Sequence, residues 1–207
     1  MARAKTRPPK RARKSEVTRA GILDAAARVL RTRGYSGGTL QDIAAESGLK
    51  AGSLYYHFDS RERLVEEVMA VGLARARAAV ESRIAELPVR ATALDRLKAA
   101  IEAHLLMTVE QEDYTSATIK LIWQVPPEIR ERQLAEQRAY GSLWKKLIAD
   151  GRRAGLIRGD LDPSVVRMGI LGALNWAADW FRSGKLPARR VASDLAAMMI
   201  EGLSNSD

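Results

Sequence analysis

The chain has 207 residues, 46% of them hydrophobic and 29% charged, with no cysteine and a formal net charge of +9. That length suits one or two domains with a full hydrophobic core, and the missing cysteines exclude disulfides and thiolate metal sites. No apolar run is long enough to span a bilayer, and the basic N-terminus lacks a secretory apolar segment, so a cytoplasmic protein with no membrane association is expected.

The positive charge is uneven. Seven of the 34 Lys and Arg residues fall within residues 1–14, which hold no acid, and the remainder carries 27 bases against 25 acids. Residues 1–14 include Pro8-Pro9 and show no apolar periodicity, so a disordered basic arm is expected there, facing a polyanion. Arg11, Arg13 and Lys14 lie nearest the folded part and suit phosphates or a minor groove. Helix one is expected over 15–33, capped by Ser15 and buried through Ile22, Ala26, Val29 and Leu30. Gly34-Tyr35 ends it.

Residues 39–58 organise the rest. Thr39 and Asp42 form a capping-box pattern. Leu40, Ile43, Ala44 and Ser47 then share one helical face. Gly48 follows where a helix closes in a left-handed residue. A second helix is expected over about residues 51–57, fixed by Leu54 and Phe58. Its other face offers Lys50, Ala51, Gly52, Ser53, Tyr55, Tyr56 and His57. Lysine, hydroxyls and imidazole donate to phosphate oxygens, and Gly52 allows close backbone approach. A helix-turn-helix needs that surface on the helix that enters the DNA major groove.

The order Gly34-Tyr35, Thr39-Leu40, Ile43-Ala44, Ser47-Gly48-Leu49, Gly52-Ser53-Leu54-Tyr55-Tyr56-His57-Phe58 and Arg61-Glu62-Arg63-Leu64 resembles the N-terminal domain of the TetR family of bacterial regulators. The resemblance covers roughly residues 15–65. Ser47, Lys50 and Arg61 depart from the family's usual alanine, serine or threonine, and lysine. The resemblance implies a DNA contact surface made of Thr39, Lys50, Ala51, Gly52, Ser53, Tyr55, Tyr56, His57 and Arg61, with Arg11, Arg13 and Lys14 beside it.

Asp59 or Ser60 caps a long fourth helix running to about Leu87, with Leu64, Val68, Val71 and Leu73 as early apolar positions. Arg61 lies in its first turn, beside the recognition helix, as a phosphate contact. Every later segment reads as helix: Thr92 to about Glu110, Tyr114 to Gln124, Pro127 to about Arg153, a helix opened by Asp162-Pro163, and a last helix from near Pro187. The expected core of the Asp162-Pro163 helix is Val165, Val166, Ile170, Leu171, Leu174, Trp176 and Phe181. The last two helices are apolar over much of their circumference, so a homodimer through a four-helix interface is expected.

The fold class is therefore all-α, with about nine helices. Residues 1–14 form the arm, 15–60 a three-helix helix-turn-helix DNA-binding domain, and 61–207 a helical ligand-binding and dimerisation domain. Trp176 and Trp180 share a helical face with Asn175 beside them, the composition of a small-molecule pocket. The segment Asn175-Trp176 to Trp180-Phe181 is similar to TetR-type regulators of fatty-acid, aromatic-acid and steroid catabolism. That resemblance implies an acyl-CoA thioester, with His104, Met107, Trp123 and Trp144 lining an apolar tunnel and Arg138, Arg167 and Arg182 at its mouth. A drug-like hydrophobic inducer of an efflux regulator is the alternative.

The expected function is a ligand-responsive homodimeric repressor of a double-stranded DNA operator. Two recognition helices would sit in successive major grooves about 34–36 Å apart. An enzyme is not expected: there are two histidines, His57 and His104, and no phosphate loop, His-Glu-x-x-His or nucleophile elbow. No cofactor or metal is implied. A helical protein–protein adaptor is the remaining reading.

Overall fold

The computed structural model describes residues 10–110, 112–182 and 184–205. Nine helices follow in order among these residues. They are α1 (Lys10–Gly37), α2 (Leu40–Glu46), α3 (Ala51–Leu54), α4 (Arg61–Ala85), α5 (Ala93–Glu110), α6 (Glu112–Leu121), α7 (Pro127–Arg153), α8 (Pro163–Trp180) and α9 (Ala188–Leu203). No helix among the described residues is long and apolar enough to cross a membrane.

Local chemistry sets most boundaries. Gly34 takes φ +70°, outside the helical region, and interrupts α1 there. Thr39 and Asp42 close a capping box on α2. Gly48 takes φ +69° in the turn to α3. Ser60 caps α4 by accepting from the Arg63 N–H. Thr92 and Asp95 exchange the same bonds at the start of α5. Asp162 accepts from the N–H groups of Ser164 and Val165 ahead of Pro163 at the start of α8.

Several boundaries differ from the sequence reading: α1 runs past its Gly34 break to Gly37, α6 spans Glu112–Leu121 and not Tyr114 to Gln124, and two further differences bear on the DNA-type surface. The first helix starts at Lys10, so Ser15 lies inside it and residues 10–14 continue α1 instead of belonging to an arm. Lys, Arg and Ala are strong helix formers, and no proline follows Pro9 to stop them. Residues 1–9 lie outside the described residues. The recognition helix ends at Leu54, short of His57. The N–H groups of His57 and Phe58 both bond to the Leu54 carbonyl, a tightened turn that carries Phe58 inward.

The side chains pack into two clusters. The first joins Ile22, Leu30, Ile43, Leu54, Phe58, Leu64 and Val68 to Tyr114, Leu121, Ile122 and Ile129. The second joins Val80, Leu97, Ile101, Leu105, Trp144, Ile148, Ile170, Leu174, Val191 and Ala196. The DNA-type head therefore shares its core with α6 and the start of α7, and packing does not divide at residue 60.

α8 corrects one core assignment. Val166, Ile170, Leu174 and Ala177 are its buried stripe. Val165 and Trp176, expected in the core, are 69% and 65% exposed on the other face. The helix buries one stripe on α5, and residues a quarter turn or more away face outward.

Candidate functional site

α2 and α3 hold a surface whose function follows from what the core does not absorb. α3 has one buried residue, Leu54, and Phe58 packs beneath it at 5% exposure. Most of the rest of the short helix and its turn is left outside, although Ala51 packs partly against the core. Tyr55 is 58% and Tyr56 79% exposed. Lys50, Gly52 and Ser53 are exposed, while Ala51 and His57 are half-buried. A Cβ built on Gly52 would meet nothing within 4 Å, so a ligand's backbone can approach there. The Tyr56 and His57 rings meet edge to face at 5.3 Å, which presents them as one unit. Thr39 is exposed at the cap of α2, but its hydroxyl donates to Asp42 Oδ2 at 2.6 Å.

Arg61 differs from its expected role. Its guanidinium donates to the carbonyls of Tyr35 and Gly38 and lies 4.3 Å above the Tyr35 ring. Those bonds occupy the group with the protein's own backbone, so it braces the head instead of facing outward. The backbone of Arg11, Arg13 and Lys14 lies in α1; their side chains fall outside the described residues.

The helices that carry this head are tied together by ion pairs. Arg19 of α1 pairs with Glu67 of α4. Glu66, 8% exposed, accepts from Arg132 of α7 at 2.5 Å and from Arg63 at 2.9 Å. The Arg132 guanidinium is the main reason the Glu66 carboxyl is held below its ordinary range.

In the second half, a cavity of about 570 Å³ opens between α4, α5, α6, α7 and α8. Its wall is mostly apolar: Leu73, Ile119, Ile122, Leu134, Met168 and Leu171. One buried polar line crosses it. His104 Nδ1 lies 2.8 Å from Tyr140 Oη, and Nε2 lies 3.0 Å from Asn175 Oδ1. A neutral ring satisfies both, with Nε2–H donating to the amide oxygen and Nδ1 accepting from the phenol. Burial pushes the His104 pKa down, which keeps that neutral form. Burial also pushes the Tyr140 phenol above its ordinary range.

Two polar atoms at this cavity have no protein partner. They are the buried Thr115 hydroxyl and the Arg167 Nε. Arg167 crosses from α8 toward α7, where a Cβ on Gly141 would lie 3.2 Å from its Nη1. Arg138 is the second cation of the wall.

The expected ligand residues thus divide. His104, Trp123, Arg138, Arg167 and Asn175 line the cavity. Trp144 is fully buried behind it, edge-on to His104 at 5.7 Å, as packing. Met107 is not part of the wall. Trp176 and Trp180 are 65% and 45% exposed and face away. Arg182 closes the end of α8 by donating to the Asp179 and Phe181 carbonyls. Two tryptophans four residues apart do share a face, but that face is the outer one. The sequence reading missed Thr115, Tyr140 and Gln137, and no local motif marks them. Among the described residues, no group of three or more His, Asp or Glu is placed to hold a metal ion.

Known proteins carry the same architecture. Residues 22–68 match the family model described as "Bacterial regulatory proteins, tetR family", and residues 90–203 match "Tetracyclin repressor-like, C-terminal domain". The chain is 30% identical over 198 residues to the HTH-type transcriptional repressor KstR2 of Mycobacterium tuberculosis, covering 90% of this chain and 92% of that one. The structure of PfmR, a TetR family regulator from Thermus thermophilus, superposes with a TM-score of 0.77 at 28% identity, over 89% of this chain and 99% of that one. AibR, solved in complex with isovaleryl coenzyme A and operator DNA, gives a TM-score of 0.76 at 26% identity, over 87% and 97%. These are transcriptional regulators and not enzymes. The two profile matches and the full-length relative establish that this chain belongs to the TetR family of bacterial regulatory proteins.

Proposed function

We propose that the protein is a homodimeric repressor that leaves its operator when an acyl-CoA thioester enters the cavity. The observation that carries the DNA half is the exposure of Tyr55 and Tyr56 on a helix whose one buried anchor is Leu54. Two exposed phenols beside Lys50 and Ser53 suit phosphate and base-edge contacts in a major groove. Such a protein works at chromosomal DNA, hence in the cytoplasm.

The dimer reading is supported by the outer faces of the last two helices. Val165, Met168, Trp176 and Trp180 of α8 and Met198 of α9 are exposed apolar residues. Gly169, Gly172 and Ala173 lie among them and permit close helix approach. Apolar area of that extent on one face marks an interface. Trp176 and Trp180 belong to that surface in this reading.

The ligand reading is supported by the cavity's composition. An acyl chain fits apolar walls, and Arg167 and Arg138 offer charge to the phosphates of coenzyme A. A neutral drug-like inducer would leave the buried Arg167 Nε without a partner, at a desolvation cost. The solved complex of AibR with isovaleryl coenzyme A supports the same class. A ligand acts only through its differential affinity for the DNA-competent and DNA-incompetent states.

The test uses the DNA upstream of the protein's own gene. Tyr55→Ala is expected to abolish specific binding. Lys50→Ala is expected to make the salt dependence shallower by about 0.9 in slope, one phosphate contact. Acyl-CoAs of graded chain length should release wild type, and Arg167→Ala should require more of each. Binding unaffected by Tyr55→Ala would sink the DNA half. Release by none of the thioesters would sink the ligand half.

A further inference from the structure

Besides the packing of α6 on α1, a polar contact joins the end of the cavity wall directly to the DNA-reading head without passing through α4. Past the end of α6, Ile122 and Trp123 line the cavity, and Ile122 also belongs to the head's core. The next residue is Gln124. Its side-chain Oε1 accepts from the Tyr35 backbone N–H at 2.9 Å, across 89 residues of chain. Tyr35 follows Gly34, the break in α1, and a Cβ on Gly34 would come within 2.6 Å of that same Oε1. Glycine is favoured at position 34 by its φ of +70°, and the Gln124 amide packs directly against it.

The far side of this junction leads straight to the reading surface. Gly38 N–H bonds to the Gly34 carbonyl at 3.1 Å, and Arg61 holds the Tyr35 and Gly38 carbonyls together. Thr39 follows and caps α2. On the cavity side the turn is stiff. Gln124 and Val125 N–H groups both bond to the Leu121 carbonyl, and Pro126-Pro127 come next. A backbone displacement at the buried Ile122 is passed through this short turn to Gln124, whereas the Trp123 ring is 73% exposed.

We infer that Gln124 is a positioning residue through which the state of the cavity sets the Gly34–Tyr35 junction and so the placement of α2 and α3. This rests on the proposed cavity-to-DNA function for its biological use. The contact itself is testable without DNA or any ligand. Only the acceptor oxygen of Gln124 is engaged, so glutamate preserves the bond, whereas leucine keeps bulk and removes it.

The experiment measures hydrogen–deuterium exchange of the Tyr35 amide in the full-length protein. Gln124→Ala and Gln124→Leu are expected to speed that exchange about fivefold, the worth of one neutral hydrogen bond. Gln124→Glu should keep the wild-type rate. Leu171→Trp, which fills the cavity from the α8 wall, should speed Tyr35 exchange in the wild-type background and add little in Gln124→Ala. Leu171→Phe carries this arm if the tryptophan variant does not fold, as judged by its melting curve. The inference is overturned if Gln124→Leu protects as well as glutamine. It is equally overturned if cavity filling acts alike in both backgrounds or in neither. Operator binding is measured in parallel. Its absence in wild type would refute the repressor reading while leaving the exchange result to decide Gln124.

Discussion

The head and the cavity are built by different rules. In the head, short helices are placed by caps, glycines and a few anchors, and the working surface is whatever those anchors leave outside. Leu54 at 0% and Tyr56 at 79% exposure lie two residues apart. In the cavity, the working surface is a space bounded by five helices drawn from Gly72 to Asn175. Its chemistry is the sum of long-range approaches, such as His104 to Tyr140 and to Asn175. A site made by local exclusion tolerates change around it, whereas an enclosed site depends on every helix crossing that shapes it.

Core truncation should split the two regions most widely. Leu54→Ala removes α3's one buried anchor and is expected to cost about 2–5 kcal/mol with loss of operator binding. Leu174→Ala in the second cluster, also 0% exposed, should cost a similar amount. Its operator affinity should stay near wild type at temperatures where it is folded. Urea denaturation followed by DNA titration checks both. Equal loss of DNA binding in the two folded variants would erase the distinction.

Glycine substitutions sharpen it at the next level. A Cβ at Gly72 would meet the Tyr114 carbonyl at 2.7 Å and Thr118 Oγ1 at 2.5 Å, where α4 crosses α6 in the cavity wall. A backbone atom cannot swing aside, so Gly72→Ala should force the helices apart and destabilise by about 1–3 kcal/mol. At Gly151 the obstacle is the Ile157 side chain, with Cδ1 at 2.5 Å. That end rotates, and Gly151→Ala should cost less. Paired urea midpoints decide; a larger loss at Gly151 would contradict the packing at Gly72.

The same contrast explains what was legible in the sequence. Thr39, Asp42, Gly34, Gly48 and Ser60 act within four residues of themselves, and each is found where its local signal puts it. The exposure of Tyr55 and Tyr56 followed from the spacing of Leu54 and Phe58. The cavity was half legible. Asn175 was legible as a polar group beside two tryptophans, and His104 and Arg167 came from the family resemblance as tunnel and mouth residues, but Thr115 and Tyr140 look like ordinary helix residues until α6 and α7 are packed. Trp176 misled because helical spacing says which residues share a face and not which neighbour that face meets. Arg61 misled for a related reason: its carbonyl partners at Tyr35 and Gly38 lie 26 and 23 residues away.

The buried histidine gives the cavity a pH dependence. Its folded pKa lies below the ordinary 6.5 because burial disfavours the cation. The unfolded chain therefore binds the extra proton first. The stability contributed by the neutral ring is present above pH 6.5 and is lost as pH falls toward the folded value. Between pH 6.5 and 5.5, above the range of ordinary carboxylates, stability should fall by up to about 1.4 kcal/mol per pH unit. His104→Gln should flatten that slope. A wild-type melting temperature indifferent to pH across this window would mean the ring is not held neutral between Tyr140 and Asn175.

The smallest expected effect separates the regions most cleanly, because the chemistry is the same in both. Thr39 and Asp42 cap α2 with a donated hydroxyl at 2.6 Å and a returned amide at 3.2 Å. Thr92 and Asp95 cap α5 with the same bonds at 2.7 and 3.1 Å. Thr39→Ala and Thr92→Ala should each lower stability by about 1 kcal/mol. The consequences should diverge. α2 has seven residues and opens onto the reading surface, so fraying its first turn displaces α3 and weakens operator binding several-fold. α5 has eighteen residues, with Leu97, Ile101 and Leu105 buried beyond its cap, so the same loss stays at its first turn. Matched melting temperatures with unequal DNA affinity, reproduced by Asp42→Ala, which breaks the same box at a residue outside the expected DNA contact surface, would show that the head converts local disorder directly into function. Equal affinities would mean that α2 is held by its core contacts with Ile43 and Ala44 and not by its cap.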